Sequence, residues 1–118
     1  MNETTIMRHI QLEASKLKGV RLLRNNVGKF QDLRGVWTQF GVGGPGGSDL
    51  IGWKTITITQ EMVGKTVAVF LAVEVKSRNG KLTTEQAQFL MVVRAAGGIG
   101  LVPYSIEDAM EGLSGNRF

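Results

Sequence analysis

Apolar residues recur at helical spacing near the start of the chain. They form one stripe: Ile6, Ile10, Ala14 and Leu17. Because residues three or four apart share a helix face, and Gly19 supplies a stop, the pattern predicts a helix over residues 3–18. Glu13 lies three residues after Ile10 and is expected on the same inward side. There a carboxylate needs a metal ion, a buried base or a route to water.

Further along, apolar runs mainly predict strands. The predicted strands are 20–24, 35–41 (or an extended loop), 49–53, 55–59, 66–76 and 99–102, and the later helices run from Thr83 to about residue 96 and over 106–112. The longest run, TVAVFLAVEVK, is almost continuously apolar, which is typical of a central strand covered on both faces. These elements predict an α/β fold, with a mixed central β-sheet flanked by helices, in a single domain over residues 1–118.

Two charged side chains end that longest apolar run. Residues two apart in a strand share a face, so Glu74 and Lys76 are expected to project together on the side of Phe70 and Ala72. A carboxylate and an ammonium at the end of a buried strand need a partner or a bound ion. The pattern therefore indicates either a plain ion pair that reaches solvent or part of a site.

Asp49 and Gln86 are two further polar residues that could belong to a functional site. Asp49 follows a glycine-rich segment, residues 41–48 (the glycine loop), whose backbone can approach a ligand closely. Its carboxylate could reach a metal or simply close the turn. Gln86 follows Thr83 by three residues, as in a capping box, and also faces the inward side of its helix.

The composition limits the kinds of metal site that the chain can contain. The chain has no cysteine and one histidine, His9, so thiolate sites and zinc sites with several imidazoles are excluded. A metal would have to be bound by oxygen ligands, which suit Mg²⁺ or Mn²⁺. No Lys follows the glycines, so a P-loop and a nucleotide cofactor are not expected. Neither a membrane span nor a secretory signal is apparent, which favours a cytoplasmic location.

The net positive charge points to nucleic acids as a class of binding partner. The net charge is +4, and an excess of cations attracts polyanions such as nucleic acids. Five cations are candidates for phosphate contacts: Arg21, Arg24, Lys29, Arg34 and Lys54. The alternative is that they are scattered, solvated charges.

Three motifs, taken in order, resemble one nuclease family. They are GGSDLIGW around Asp49, AVEVKS (72–77) and GKLTTEQAQFL (80–90). Asp…Glu-x-Lys followed by a helix with Thr-x-x-Gln resembles the PD-(D/E)xK nuclease superfamily, and most closely its virus-type replication–repair nuclease (VRR-NUC) family. The resemblance extends from about Glu3 to Val102, and Ser48 stands where the superfamily pattern has Pro. Members are often short, stand-alone phage or prophage proteins, which would place this one in the host cytoplasm.

The resemblance implies a restriction-endonuclease-like αβββαβ core and a Mg²⁺- or Mn²⁺-dependent endodeoxyribonuclease. The implied catalytic residues are Asp49, Glu74, Lys76 and Gln86, and the implied metal ligands are Asp49, Glu74 and the backbone carbonyl of Val75, with Glu13 as a further ligand, direct or through water. The implied substrate is branched DNA, such as a four-way (Holliday) junction, cut by a homodimer. The rival interpretations are a noncatalytic nucleic-acid-binding module and a structural phage component.

Overall fold

The computed structural model describes residues 2–116, and its contacts divide the chain into two compact units, Met1–Ile56 and Thr57–Phe118. The helices are α1 (Glu3–Ala14), α2 (Thr84–Ala95) and α3 (Ile106–Leu113). The strands are β1 (Val20–Arg24), β2 (Gly28–Gln31), β3 (Trp37–Phe40), β4 (Leu50–Lys54), β5 (Leu71–Val73) and β6 (Ile99–Leu101). This mixed α/β architecture confirms the predicted fold class. In the described part of the chain, no helix has the length and hydrophobicity needed to cross a membrane.

The first unit contains an antiparallel ribbon with a helix against it. β1 pairs with β4 in the register Val20↔Lys54 to Arg24↔Leu50. The ribbon is anchored to α1 by Gln11, whose Nε2 donates to the Leu22 carbonyl oxygen at 3.3 Å. The helix begins at the N-cap Asn2, whose side chain accepts the Thr5 N–H.

A hairpin in the same unit contains a strand that the sequence pattern did not predict. β2 pairs with β3 in the register Gly28↔Phe40 to Gln31↔Trp37. The turn between them is closed by Asp32, whose Oδ1 accepts the N–H groups of Arg34 and Val36 at 2.9 Å each. β2 is short and exposed, so its strand conformation comes from this cross-strand pairing.

The second unit places a parallel strand pair against α2. β5 pairs with β6, and Leu90 and Val93 of α2 are buried in this unit. The Arg94 guanidinium donates from Nε and Nη2 to the Gly100 carbonyl oxygen at 3.1 and 2.8 Å. These contacts join the helix to β6, which pairs with β5, the strand that directly precedes Glu74.

Both later helices begin at a side-chain N-cap, and the sequence predicted the first of the two. Thr83 accepts the Gln86 N–H through its hydroxyl at 3.1 Å, and the Gln86 side chain accepts the Thr83 N–H at 2.9 Å. This reciprocal pair confirms the capping box. Ser105 caps α3 by accepting the Asp108 N–H.

Several predicted strand boundaries were wrong. The strand β4 ends at Lys54, opposite Val20, the first residue of β1, and β5 begins at Leu71, opposite Ile99, the first residue of β6. Residues 56–59 and 66–69 therefore lie beyond the paired strands. The strand β4 covers Leu50–Lys54, within one residue of the predicted 49–53. The expected covering of both faces of 66–76 is also wrong, since Val73 and Val75 are exposed. The helix α1 ends at Ala14, four residues early, in a tighter turn. The expectation of a single domain stays a prediction.

Candidate active site

The segment after β5 keeps an extended backbone and carries two charged side chains on one face. Glu74 N–H donates to the Leu101 carbonyl oxygen at 2.9 Å, and Lys76 N–H donates to that of Pro103 at 3.1 Å. This alternation places Lys76 Nζ 3.4 Å from Glu74 Oε1. The Lys76 side chain is 16% exposed and that of Glu74 is 34% exposed. The pair is therefore partly withdrawn from solvent yet still accessible from one side.

Gln86 joins this pair from the first turn of α2. Its Nε2 donates to Glu74 Oε1 at 2.9 Å, while its Oε1 accepts the Thr83 N–H. One amide therefore caps the helix and holds the carboxylate. The contact also brings Glu74 beside a helix N-terminus, where the helix dipole favours negative charge. Three side chains with different chemistry, Glu74, Lys76 and Gln86, thus lie together in the second unit.

A cavity of about 480 Å³ opens beside this cluster. Its polar wall includes Glu74, Glu85 and Gln86, and Ala72 and Phe89 contribute to its apolar wall. Glu74 is thus part of the wall of a cavity that is open to a ligand. A site with a few convergent polar groups beside apolar surface is typical of ligand binding.

The oxygen atoms available around Glu74 are of the type that hard divalent cations bind. Because Glu74 and Lys76 direct their N–H groups toward β6 and its extension, the intervening Val75 directs its carbonyl to the opposite edge. A carboxylate and a backbone carbonyl are ligands that Mg²⁺ and Mn²⁺ accept. Within residues 2–116, no group of three or more His, Cys, Asp or Glu side chains is arranged to hold a metal. Further oxygen ligands are therefore needed to complete a site.

Asp49 lies in the first unit, at the end of the glycine loop and directly before β4. Its carbonyl oxygen accepts the Asn25 N–H at 2.9 Å, which extends the β1–β4 ladder by one pair. Its side chain is exposed and lines two cavities of about 380 and 270 Å³. Arg24 and Lys29 also line the larger one, and Glu3 the smaller one. The meeting of Asp49 with Glu74 stays a prediction.

The inward orientation expected for Glu13 was wrong. Its side chain is 69% exposed, and its Oε1 lies 3.2 Å from Lys16 Nζ, one helical turn away. The acid of α1 that shares a cavity with Asp49 is instead Glu3. The sequence carried a signal for it, since Glu3, with Ile6, Met7 and Ile10, follows the i, i+3, i+4, i+7 spacing of one helix face.

We expect Glu3→Gln to reduce DNA cleavage more than Glu13→Gln does. In the predicted site Asp49 binds the ion, and a carboxylate in the same cavity would support that ion directly or through water; losing such support costs about 10–100-fold in metal affinity or activity. Glu13 is already neutralised in part by Lys16. The measurement is the cleavage rate of each variant as Mg²⁺ is titrated. A larger loss for Glu13→Gln would assign the contribution of α1 to Glu13 instead.

The five candidate phosphate-binding cations all lie in the first unit. Arg24 and Lys29 line a common cavity, the one that Asp49 also lines. Arg21 lies over the Trp53 ring at 5.8 Å, and Arg34 lies 3.4 Å from Asp32. The hydrogen bond from the Val36 N–H lowers the pKa of Asp32, which keeps this carboxyl ionised beside Arg34. Lys54, at the far end of the ribbon, pairs across it with Val20.

Residues 4–103 match the VRR-NUC domain family, which is most of the chain. The chain belongs to the VRR-NUC family. This finding confirms the resemblance drawn from the three motifs and supports nuclease activity on DNA. No curated protein and no solved structure is significantly similar to the chain. The VRR-NUC match includes Asp49, Glu74, Lys76 and Gln86, whose individual roles stay predictions.

Proposed function

We propose that this VRR-NUC protein is a Mg²⁺- or Mn²⁺-dependent endodeoxyribonuclease that cleaves branched DNA. The observation that carries the proposal is the cluster of Glu74, Lys76 and Gln86 beside an open cavity. A structural ion pair would need no amide to hold its carboxylate and no access for a ligand. An acid, an ammonium and an amide in one accessible cluster suit phosphodiester hydrolysis.

The metal ligands in this proposal are Asp49, Glu74 and the Val75 carbonyl. Gln86 prepares Glu74 for this role, because its hydrogen bond fixes one carboxylate oxygen. Such partners orient a ligand and are part of metal sites generally. When bound, a divalent ion acidifies a coordinated water and neutralises negative charge on the phosphodiester.

Lys76 supplies the positive charge of the site. Its Nζ lies close enough to Glu74 to hold the attacking water by hydrogen bonding next to that carboxylate. Its ammonium also stabilises the negative charge that develops on the phosphate oxygens in the transition state. Partial burial strengthens this effect, since an ammonium that is 16% exposed is screened less by water.

The preference for four-way junctions and a homodimeric assembly belong to the same proposal. Symmetric cleavage of two strands requires two sites related by a two-fold axis. One chain contributes one set of these residues. Two observations support binding of a phosphate backbone. The net charge is +4, and Arg24 and Lys29 line the same cavity as Asp49. A cytoplasmic location is part of the same proposal.

A single cleavage assay tests this function. Plasmid, single-stranded and four-way-junction DNA are incubated with Mg²⁺, Mn²⁺ or EDTA, using wild type, Lys76→Ala and the control Lys65→Ala. Lys65 is an exposed lysine of the same unit. We expect metal-dependent cleavage, fastest on the junction, that Lys76→Ala lowers by about 100-fold or more. Mixed dimers of wild type and Lys76→Ala should nick one strand only.

The same assay separates the nuclease from a noncatalytic binding module. A binding module would retain junction DNA equally in Mg²⁺ and EDTA and would cut none of the substrates. Cleavage that survives both EDTA and Lys76→Ala would also contradict the proposal, because neither the metal nor the ammonium would then be needed.

A further inference from the structure

The side chain of Asn25 joins the two ends of the glycine loop. Its Nδ2 donates to the carbonyl oxygens of Val42 and Ser48 at 2.8 and 2.9 Å. Its Oδ1 accepts the Val42 N–H at 2.9 Å. One amide therefore makes three hydrogen bonds across residues that are six positions apart. The backbone N–H of Asn25 donates to the carbonyl oxygen of Asp49, the residue that follows Ser48.

An asparagine side chain suits this arrangement because it carries two donor hydrogens and an acceptor. The two hydrogens are divided between two carbonyl oxygens, and the acceptor meets an N–H. Aspartate has nearly the same shape, yet it lacks donors and would set a negative oxygen against both carbonyls. Asn25→Asp is therefore a small change in volume and a large change in hydrogen bonding.

Close backbone packing holds the loop on the residues that follow Asn25. Gly41 has a φ of +94°, and a Cβ there would collide with the Asn26 carbonyl oxygen. A Cβ at Gly47 would collide with the Val42 carbonyl oxygen and approach Val27 Cγ2 to 2.8 Å. These glycines let the loop lie directly against the chain after β1, where the Asn25 amide can reach both of its ends.

We infer that Asn25 is a positioning residue for Asp49. It holds the carbonyl of Ser48 by its side chain and the carbonyl of Asp49 by its main chain, so the Asp49 backbone is fixed from both sides. Asn25 and Asp49 also line the same cavity of about 380 Å³. The inference rests on the proposed function, in which the Asp49 carboxylate binds the divalent ion.

The test uses full-length Asn25→Asp and Asn25→Ala, with Asn116→Asp as a control. Asn116 is exposed and belongs to the second unit, so its substitution makes the same charge change outside the loop. Hydrogen–deuterium exchange of residues 42–49 reports the order of the loop, and that of α2 reports the fold. Mn²⁺ binding is measured by calorimetry without DNA. Junction cleavage is then measured as Mn²⁺ is titrated.

We expect both Asn25 variants to exchange faster at residues 42–49 while α2 is unchanged. The half-saturating Mn²⁺ concentration should rise by about 10–100-fold in both the binding and the cleavage titrations. The cleavage rate at saturating Mn²⁺ should fall much less, because Asn25 acts on the ligand and does not touch the phosphate. Asn116→Asp should resemble wild type.

Three results would overturn the inference. A wild-type Mn²⁺ requirement in both variants would remove Asn25 from any role in metal binding. Faster loop exchange with an unchanged Mn²⁺ requirement would make Asn25 a structural residue only. Neither result affects cleavage by the wild-type protein, so neither would contradict the proposed nuclease function. A wild-type protein that neither binds Mn²⁺ nor cuts DNA would instead remove the proposed function and this inference with it.

Discussion

Glu74→Gln is expected to reduce metal-dependent DNA cleavage by about 100-fold or more while the protein stays folded. The substitution keeps the size of the side chain and an oxygen that can accept from Gln86 Nε2. It removes the negative charge that would bind the ion and that now faces Lys76. Because the Lys76 ammonium is only 16% exposed and loses its counter-charge, we expect some loss of unfolding free energy, and the folded state is checked directly.

The matched control is Glu61→Gln, an exposed glutamate of the same unit. Single-turnover cleavage of junction DNA in Mg²⁺ measures the chemical step, and circular dichroism checks that each variant is folded. Glu61→Gln should cut at the wild-type rate. If Glu74→Gln also cuts as fast as wild type, Glu74 is not a metal ligand and the proposed site is wrong.

Leu90→Ala is expected to lower the free energy of unfolding by about 2–5 kcal/mol. Leu90 is 3% exposed and packs against β6, since a Cβ at Gly100 would lie 3.2 Å from its Cδ2. It also lines the cavity beside Glu74. Truncating it leaves a gap between α2 and the strand pair that carries the cluster. For a domain of ordinary stability this is a large fraction of the total.

Met91→Ala provides the comparison, because Met91 is the next residue of α2 and is 64% exposed. We expect it to change the free energy of unfolding by about 0.5 kcal/mol or less. Urea unfolding followed by circular dichroism gives both values. Equal effects of the two substitutions would show that Leu90 is not part of the packed core of this unit.

The cluster around Glu74 was predictable in part from local pattern. Strand alternation placed Glu74 and Lys76 on one face, and their side chains do lie together. The Thr83-x-x-Gln86 spacing predicted a capping box, which is present. Neither pattern contained the hydrogen bond between Gln86 and Glu74, because the two residues are twelve positions apart and meet only when α2 packs against β5.

Asn25 illustrates the limit of local reasoning in the first unit. In the sequence, Asn25 is only the residue that follows the predicted strand 20–24. Its four hydrogen bonds reach Val42, Ser48 and Asp49, which are 17 to 24 positions away. The sequence signal for Glu3, by contrast, was local and was overlooked in favour of Glu13.

The sequence by itself determined the capping box of α2, the face shared by Glu74 and Lys76, and the VRR-NUC motifs. All of these depend on residues close together in the chain. Only the tertiary structure decided that β2 forms a strand and that residues 55–59 do not. It also decided that Gln86 holds Glu74 and that Asn25 holds the glycine loop. The reason is that a hydrogen bond between distant residues forms only where packing brings its donor and acceptor together.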